Sequence, residues 1–182
     1  NHINWKASAR TGNLMVNQFD STTSISLSVL FDMEDRLILK YEDLVEETIR
    51  IASSLAGRLI RDRMSFHVVS NGFDAATDAP FSMYLKAGGG KIAQLNQKLA
   101  CMDSSQVAYS TAELLQREAA LNRTEHTYVF ISKNREDDLA EAFQALAGTS
   151  NHILWVLPIR TADVPSLEPP TLPHVTLFPW EI

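Results

Sequence analysis

Apolar runs with the periodicity of β-strands alternate with longer segments of helical periodicity along most of this chain. The clearest strand pattern places apolar side chains on one face at Ile25, Leu27, Val29 and Phe31. From residue 42 to residue 61 the apolar positions instead recur every three or four residues, as on one side of a helix. Because alternating strands and helices pack in layers, the sequence predicts an α/β domain with a mostly parallel central sheet and helices on both faces.

The other predicted elements continue this alternation. Further strands are predicted at residues 13–19, 64–70, 81–86, 126–132, 152–159 and 174–180, and further helices at residues 92–102, 110–122 and 137–147. Gly148 is expected to end the last helix, and Pro179 to mark the final strand as near an edge. The connections at residues 71–80 and 164–173 are predicted to lack helix and strand.

Size and charge exclude several classes of protein. The chain has 182 residues, of which 45% are hydrophobic, so one domain can bury a stable core. Its formal net charge of -6 argues against the cationic surface that nucleic-acid binding requires. The single cysteine, Cys101, excludes an internal disulfide and is interpreted as structural. No apolar run approaches the ~20 residues of a membrane span, and the start at Asn1 is typical of a piece of a longer protein.

No motif supplies catalytic residues. The glycines before Lys91 suggest a phosphate-binding Walker A loop, but Leu85 and Ile92 replace its first glycine and its hydroxyl residue. The glycine fingerprint of dinucleotide-binding proteins, the ligand spacing of zinc sites and the nucleophile elbow of hydrolases are not found. His67 falls within a predicted strand and is interpreted as a hydrogen-bonded strand residue. The prediction is that the protein is not an enzyme.

Acidic residues follow two of the predicted strands. In open parallel sheets ligands bind outside the carboxyl ends of the strands, so acids at these positions are the candidates for contact with a partner. The candidate partner-binding or vestigial metal residues are Asp32, Glu34, Asp35 and Asp137. We expect Asp32 to share one edge of the sheet with Asn71 and Asn134.

The N-terminal residues contain a Trp-Lys-x-Ser-Ala-Arg run. Its members are Trp5, Lys6, Ser8, Ala9 and Arg10. This run, followed by a strand ending in Asp and then a long helix, resembles the DUF 58 family, in which it precedes a von Willebrand factor A-like domain. The resemblance covers nearly the whole chain. It implies a signature segment and linking strand at residues 1–20 and a von Willebrand A-like domain at residues 21–182.

The resemblance also implies a cellular setting. DUF 58 proteins usually carry two membrane-spanning helices and a small β-rich domain ahead of this region, and they are usually encoded beside MoxR-type AAA+ ATPases. The chain is therefore expected to be the part of a bacterial membrane-anchored protein that faces the cytoplasm, with its anchor in a missing N-terminal region. Packing is the favoured role for Trp5, whereas Arg10 stays open between a docking surface and an ion pair.

Von Willebrand A domains often bind Mg²⁺ through an Asp-x-Ser-x-Ser loop, a Thr from a second loop and an Asp from a third. Here Asp32 matches the first position, whereas Glu34 and Arg36 replace the two hydroxyl residues. Arg36 is expected to pair with Asp32 or Asp35. The resemblance therefore implies a degenerate metal-ion-dependent adhesion site with no cofactor, and Mg²⁺ binding is the alternative.

Three classes of function are compatible with these features. The favoured one is a non-enzymatic module that binds a protein partner, such as a MoxR-type AAA+ ATPase, through the loops at the carboxyl edge of the sheet. The alternative is a small-molecule or nucleotide-binding α/β enzyme. A third is a structural domain that stabilises a membrane-anchored assembly.

Overall fold

The computed structural model describes residues 2–3, 16–17, 26–36, 42–74, 76–136, 138–167 and 172–182. Some residues singled out above lie outside the described residues, namely Trp5, Lys6, Ser8, Ala9, Arg10, Ile25 and Asp137. Their roles, and the division of the chain between residues 20 and 21, therefore stay predictions.

Within the described residues, two short strands pair with each other and seven strands form the central sheet. The short pair is β1 (His2–Ile3) and β2 (Val16–Asn17). The central strands are β3 (Ser26–Phe31), β4 (Phe66–Asp74), β5 (Ala79–Leu85), β6 (Met102–Val107), β7 (His126–Ile131), β8 (His152–Ile159) and β9 (Val175–Glu181). Their spatial order is β5-β4-β3-β7-β8-β9, with β6 also pairing with β4. Neighbours from β4 through β3 to β9 are parallel, whereas β5 and β6 run antiparallel to β4.

Helices cover both faces of this sheet. One face carries α1 (Glu42–Arg61) and α2 (Ile92–Ala100), and the other carries α3 (Thr111–Ala119) and α4 (Leu139–Ala147). The strand order and directions therefore confirm the predicted fold class, and α1 has the predicted bounds. Among the described helices, none combines the length and the apolar composition that a membrane span requires.

The alternating side chains of β3 connect the two layers of the core. Leu27, Val29 and Phe31 pack beneath α1, while Leu30 packs on the opposite face against α3 and α4. Full burial of one such side chain contributes about 1.5–3 kcal/mol. Because β3 is central and is packed on both faces, its carboxyl end has a fixed position relative to β4 and β7.

The segment after residue 70 departs from the prediction. Residues Asn71 to Asp74 were expected in a loop, but they continue β4 because they pair with β6. No strand is predicted where β6 forms, because its polar composition lacks the apolar alternation of a buried strand. Met102 was assigned to the apolar stripe of α2, and it is instead the first residue of β6.

The last connection also differs from the prediction. Residues 161–166 form a short 3₁₀ helix, η1 (Thr161–Ser166), where an extended segment was expected to start at residue 164. Val164 and Leu167 pack against the core on the α3 and α4 face, which favours a compact turn over an extended chain. The prediction for Pro179 is confirmed, because β9 is the edge strand of the sheet.

Candidate functional site

Segments from three neighbouring strands meet at the carboxyl edge of the sheet around Asp32. The backbone N–H of Asp32 donates to the carbonyl of Ile131 at 2.9 Å, so the pairing of β3 with β7 extends to this residue. Asn71 lies in β4 on one side of β3, and Asn134 follows β7 on the other side. Both side chains reach Asp32, and the structure therefore places the three residues at one edge, as the sequence predicts.

The carboxylate of Asp32 accepts five hydrogen bonds. Its Oδ1 accepts from the side-chain amide of Asn71 at 2.7 Å and from the backbone N–H of Glu34 at 3.0 Å. Its Oδ2 accepts from three further side chains, those of Ser132 at 2.6 Å, Asn134 at 2.8 Å and Thr111 at 2.9 Å. Asp32 is 2% exposed, so the carboxylate acts as a buried hub that joins β3, β4, β7 and α3.

The charge of this hub is costly for the fold. Burial raises the pKa of Asp32 above its usual value, while the hydrogen bonds from Ser132, from the Glu34 backbone and from Asn71 act in the opposite direction. All five donors are neutral, and they therefore stabilise the carboxylate without cancelling its charge. A buried acid with a perturbed pKa at the edge of a sheet is typical of a functional position.

Glu34 binds the amino end of α3. Its Oε2 accepts from the backbone N–H of Thr111 at 2.6 Å and lies 2.6 Å from the Thr111 hydroxyl oxygen. Ser110 caps the same helix, because its hydroxyl accepts from the backbone N–H of Glu113 at 3.2 Å. A carboxylate at this end of a helix is favoured by the helix dipole. Thr111 therefore links the side chains of Asp32 and Glu34.

Arg36 is the cation of the loop that follows β3. Its Nε lies 2.8 Å from Oε2 of Glu34, and its Nη1 lies 2.9 Å from Oδ2 of Asp138 and 3.4 Å from Oε2 of Glu136. Its side chain is 20% exposed. These partners differ from the prediction, in which Arg36 pairs with Asp32 or Asp35. The structure shows instead that neutral donors fill both oxygens of Asp32.

The donor set around Asp32 does not fit Mg²⁺ binding, which is the alternative that the family resemblance leaves open. Mg²⁺ requires near-octahedral oxygen ligands with available lone pairs. Within the described part of the chain, no group of three or more His, Cys, Asp or Glu side chains is placed to hold a metal ion. Arg36 contacts Glu34, and the Nζ of Lys133 donates to Oδ1 of Asp35 at 2.7 Å. Glu34 and Asp35 are therefore each paired with a side-chain cation, and the oxygens of Asp32 are filled by neutral donors.

We expect calorimetric titration of the wild-type domain with Mg²⁺ or Mn²⁺ to show no saturable binding. The matched variant carries Glu34→Ser and Arg36→Ser, which restores the Asp-x-Ser-x-Ser spacing and removes the adjacent cation. This double variant is expected to gain a measurable heat of Mg²⁺ binding, because two neutral hydroxyl ligands then flank Asp32. Saturable binding to the wild type would contradict the assignment of Arg36 as the cation of the site.

Sequence reasoning found part of this site. It named Asp32 and Glu34, which the structure brings together through Thr111, and it placed Asp35 in the same loop. It missed Thr111 and Ser132 as members of the site. A usable signal existed for Thr111, because helices that lead into parallel strands begin at the carboxyl edge, and a helix was predicted to begin at residue 110.

No family model matches the sequence, and no curated protein matches it. Solved structures with similar folds include an aerotolerance-related membrane protein from Bacteroides fragilis, with 11% identity, a TM-score of 0.48 and coverage of 73% of this chain and 67% of that chain. BatB from Bacteroides thetaiotaomicron has 13% identity and a TM-score of 0.47, and the match covers 74% of this chain and 66% of that chain. A von Willebrand factor type A protein from Catenulispora acidiphila has 13% identity and a TM-score of 0.47, and the match covers 75% of this chain and 34% of that chain. The fold class of this chain therefore rests on its own strand order and strand directions.

Proposed function

We propose that this domain is a non-enzymatic interaction module that binds a protein partner at the carboxyl edge of its sheet without a metal ion. The observation that carries the proposal is the set of five hydrogen bonds at Asp32, which fixes the following loop against three other segments. A surface that is already ordered before binding loses less conformational entropy when a partner arrives. Such a loop is suited to recognition.

The surface around the hub is charged and accessible. Arg135 is exposed, and the side chains of Glu136 and Asp138 are 40% and 50% exposed. Charges at the rim of an interface act mainly on the association rate and on the choice of partner. The partner is expected to present complementary charges to these residues, with Arg36 and Glu34 forming the less exposed centre of the surface.

The family resemblance supports a more specific form of the proposal. In this form the site is a degenerate metal-ion-dependent adhesion site of a DUF 58-type protein, and the partner is a MoxR-type AAA+ ATPase. The intact protein would be anchored in the membrane through a segment ahead of this domain, with the domain at the cytoplasmic face. The support is the run that includes Trp5, Lys6, Ser8 and Arg10, together with the position of Asp32 after the central strand.

The test is direct binding between the domain and a purified MoxR-type ATPase, measured by biolayer interferometry. The variant Glu136→Lys with Asp138→Lys reverses two exposed rim charges and leaves Asp32 and its donors in place. Its affinity is expected to fall by about tenfold or more, because like charges at an interface are unfavourable.

The matched control reverses two acids at the opposite edge of the sheet, with Asp62→Lys and Glu125→Lys, and changes the net charge by the same amount. The control is expected to bind like the wild type. An equal loss of affinity in both variants would mean that only net charge matters. Equal affinity of the wild type and both variants would show that the carboxyl edge is not part of the interface. Absence of binding by the wild type would reject this class of partner.

A further inference from the structure

A second polar site lies at the opposite edge of the sheet. A cavity of about 310 Å³ opens at the amino ends of β3, β4 and β7. Its polar lining comes from Ser26, Ser28, Ser65, His67, Arg123 and His126. The volume falls at the lower end of the ~300–1,000 Å³ range of small-molecule pockets. None of these residues takes part in the site around Asp32.

Small side chains on β3 create this cavity. Ser26 and Ser28 point to the same face as Leu30, because side chains two residues apart lie on one side of a strand. Leu30 fills the core beneath α3, whereas the two serines leave space near the end of that helix. Arg123 follows the helix and reaches back over the serines, with its Nη1 2.9 Å from the Ser28 hydroxyl oxygen.

Hydrogen bonds hold the polar groups of the cavity in place. His126 is 3% exposed, and its two ring nitrogens lie 2.5 Å from Oγ of Ser26 and 2.9 Å from Oγ of Ser28. Nη1 of Arg123 donates to the buried carboxylate of Glu118 at 2.7 Å. Two ring nitrogens, two hydroxyls and a guanidinium therefore form a preorganised wall.

The lining is rich in hydrogen-bond donors and poor in acceptors. Among the described residues, no carboxylate lines the cavity, and the hydrogen bonds from the Arg123 side chain to Ser28 and Glu118 share one nitrogen, Nη1. The Arg123 side chain also lies close to the Tyr128 hydroxyl, and the remaining N–H groups of the guanidinium can donate to a ligand. The hydroxyl of Ser65 accepts from the backbone N–H of Ala87 at 2.9 Å, so its own proton remains to be donated. His67 uses Nε2 to contact Ser82 at 2.8 Å, and Nδ1 remains for a ligand.

The histidines of the cavity do not compete with Arg123 for positive charge at neutral pH. Burial, together with the nearby charges of Arg123 and His67, lowers the pKa of His126 to about 4. Burial and Arg123 also lower the pKa of His67. Arg123 is therefore the cation of this lining, and the imidazoles and hydroxyls around it are neutral, with both ring nitrogens of His126 already used by Ser26 and Ser28.

We propose that this cavity binds a small oxyanion, which is inorganic phosphate or the phosphate group of a small phosphomonoester. Arg123 recognises the negative charge, and the Ser65 hydroxyl and Nδ1 of His67 donate to the remaining oxygens, since charge-assisted hydrogen bonds from arginine suit phosphate. The organic part of a phosphomonoester would lie against Phe66 and against Tyr84, which is 59% exposed. This assignment is independent of the partner proposed for the carboxyl edge.

The test is calorimetric titration of the domain with inorganic phosphate and, separately, with methyl phosphate, at constant ionic strength set by NaCl. Saturable binding is expected in the wild type. The double variant Glu118→Gln with Arg123→Met removes the cation without leaving a buried, unpaired carboxylate, and it is expected to weaken binding by about tenfold or more. Tighter binding of methyl phosphate would identify a phosphomonoester as the ligand, and equal binding would identify free phosphate.

The matched control is Arg58→Met with Asp62→Asn, which removes an exposed ion pair from the end of α1. It is expected to bind phosphate like the wild type, and an equal loss in both double variants would reject a defined site. A second measurement does not depend on any variant. Phosphate is expected to shift the imidazole NMR signals of His67 and His126 in the wild type, but not those of His152 and His174. No shift at His67 and His126, or no saturable binding, would overturn the proposal.

Discussion

Replacing Asp32 with alanine is expected to lower the free energy of unfolding by about 3 kcal/mol. The hydroxyls of Ser132 and Thr111 can rotate to other acceptors, and the amide of Asn134 keeps the Glu34 carbonyl and the Thr111 hydroxyl, but the amide of Asn71 and the backbone N–H of Glu34 lose their acceptor. Each buried donor left without a partner costs about 1 kcal/mol or more. Urea-induced unfolding of the wild type and the Asp32→Ala variant, followed by circular dichroism, measures the difference.

The matched control for this experiment is Asp32→Asn. Asparagine keeps the shape of the side chain and one acceptor oxygen, and it removes the charge that burial disfavours. The loss of stability in this variant is expected to be less than about 1 kcal/mol. An Asp32→Ala variant as stable as the Asp32→Asn variant would contradict the role of the carboxylate as the acceptor for its neighbours.

The difference in stability between the wild type and the Asp32→Asn variant is expected to change with pH in one direction. Because burial raises the folded-state pKa of Asp32, its contribution to stability is fully present below the unfolded pKa of about 3.9. That contribution is lost as the pH rises through the folded-state pKa. The stability of the wild type relative to Asp32→Asn should therefore fall as the pH is raised from about 4 towards neutrality, and a rise would contradict the raised pKa.

The arrangement of the sheet was predictable because its strands are buried and apolar. The patterns from Leu27 to Phe31 and from Glu42 to Arg61 follow the periods of a strand and a helix closely, and both elements form as predicted. Prediction failed where pairing rather than burial determines the structure. β6 has the sequence MDSSQV, and it becomes a strand because the last residues of β4 supply its hydrogen-bond partners. No local signal in that stretch reports those partners.

The site was predictable only in part for a related reason. The position of Asp32 at the end of an apolar strand can be read from the sequence, as can the edge that it shares with Asn71 and Asn134. Which cation pairs with which acid depends on side-chain reach across the folded molecule. Arg36 meets Asp138, which is 102 positions further along the chain, and periodicity carries no information about such a contact.

A second large loss of stability is expected on substitution of Gly72, which lies in β4 directly after Asn71. A Cβ atom at this position would lie 2.7 Å from Cγ of Met33 and 2.6 Å from Cε of Met102. The methyl end of Met102 can turn aside, but Cγ of Met33 is close to a backbone that is fixed by the hydrogen bond from its N–H to Asn71 at 2.8 Å. Gly72→Ala is therefore expected to destabilise the domain by about 2 kcal/mol, the usual cost of overpacking a core.

The control for Gly72→Ala is the same substitution at Gly57, in the middle of α1. There a Cβ atom would meet only Nη1 of Arg61 at 3.7 Å and Cδ1 of Ile92 at 4.0 Å, which are ordinary contacts. Because alanine favours a helix over glycine, Gly57→Ala is expected to raise the free energy of unfolding by about 0.5–1 kcal/mol. The midpoint of thermal unfolding should thus fall for Gly72→Ala and rise for Gly57→Ala, although both variants add the same methyl group. Equal shifts would mean that the close approach of Met33 to β4, which sets the position of the loop after Asp32, does not exist in solution.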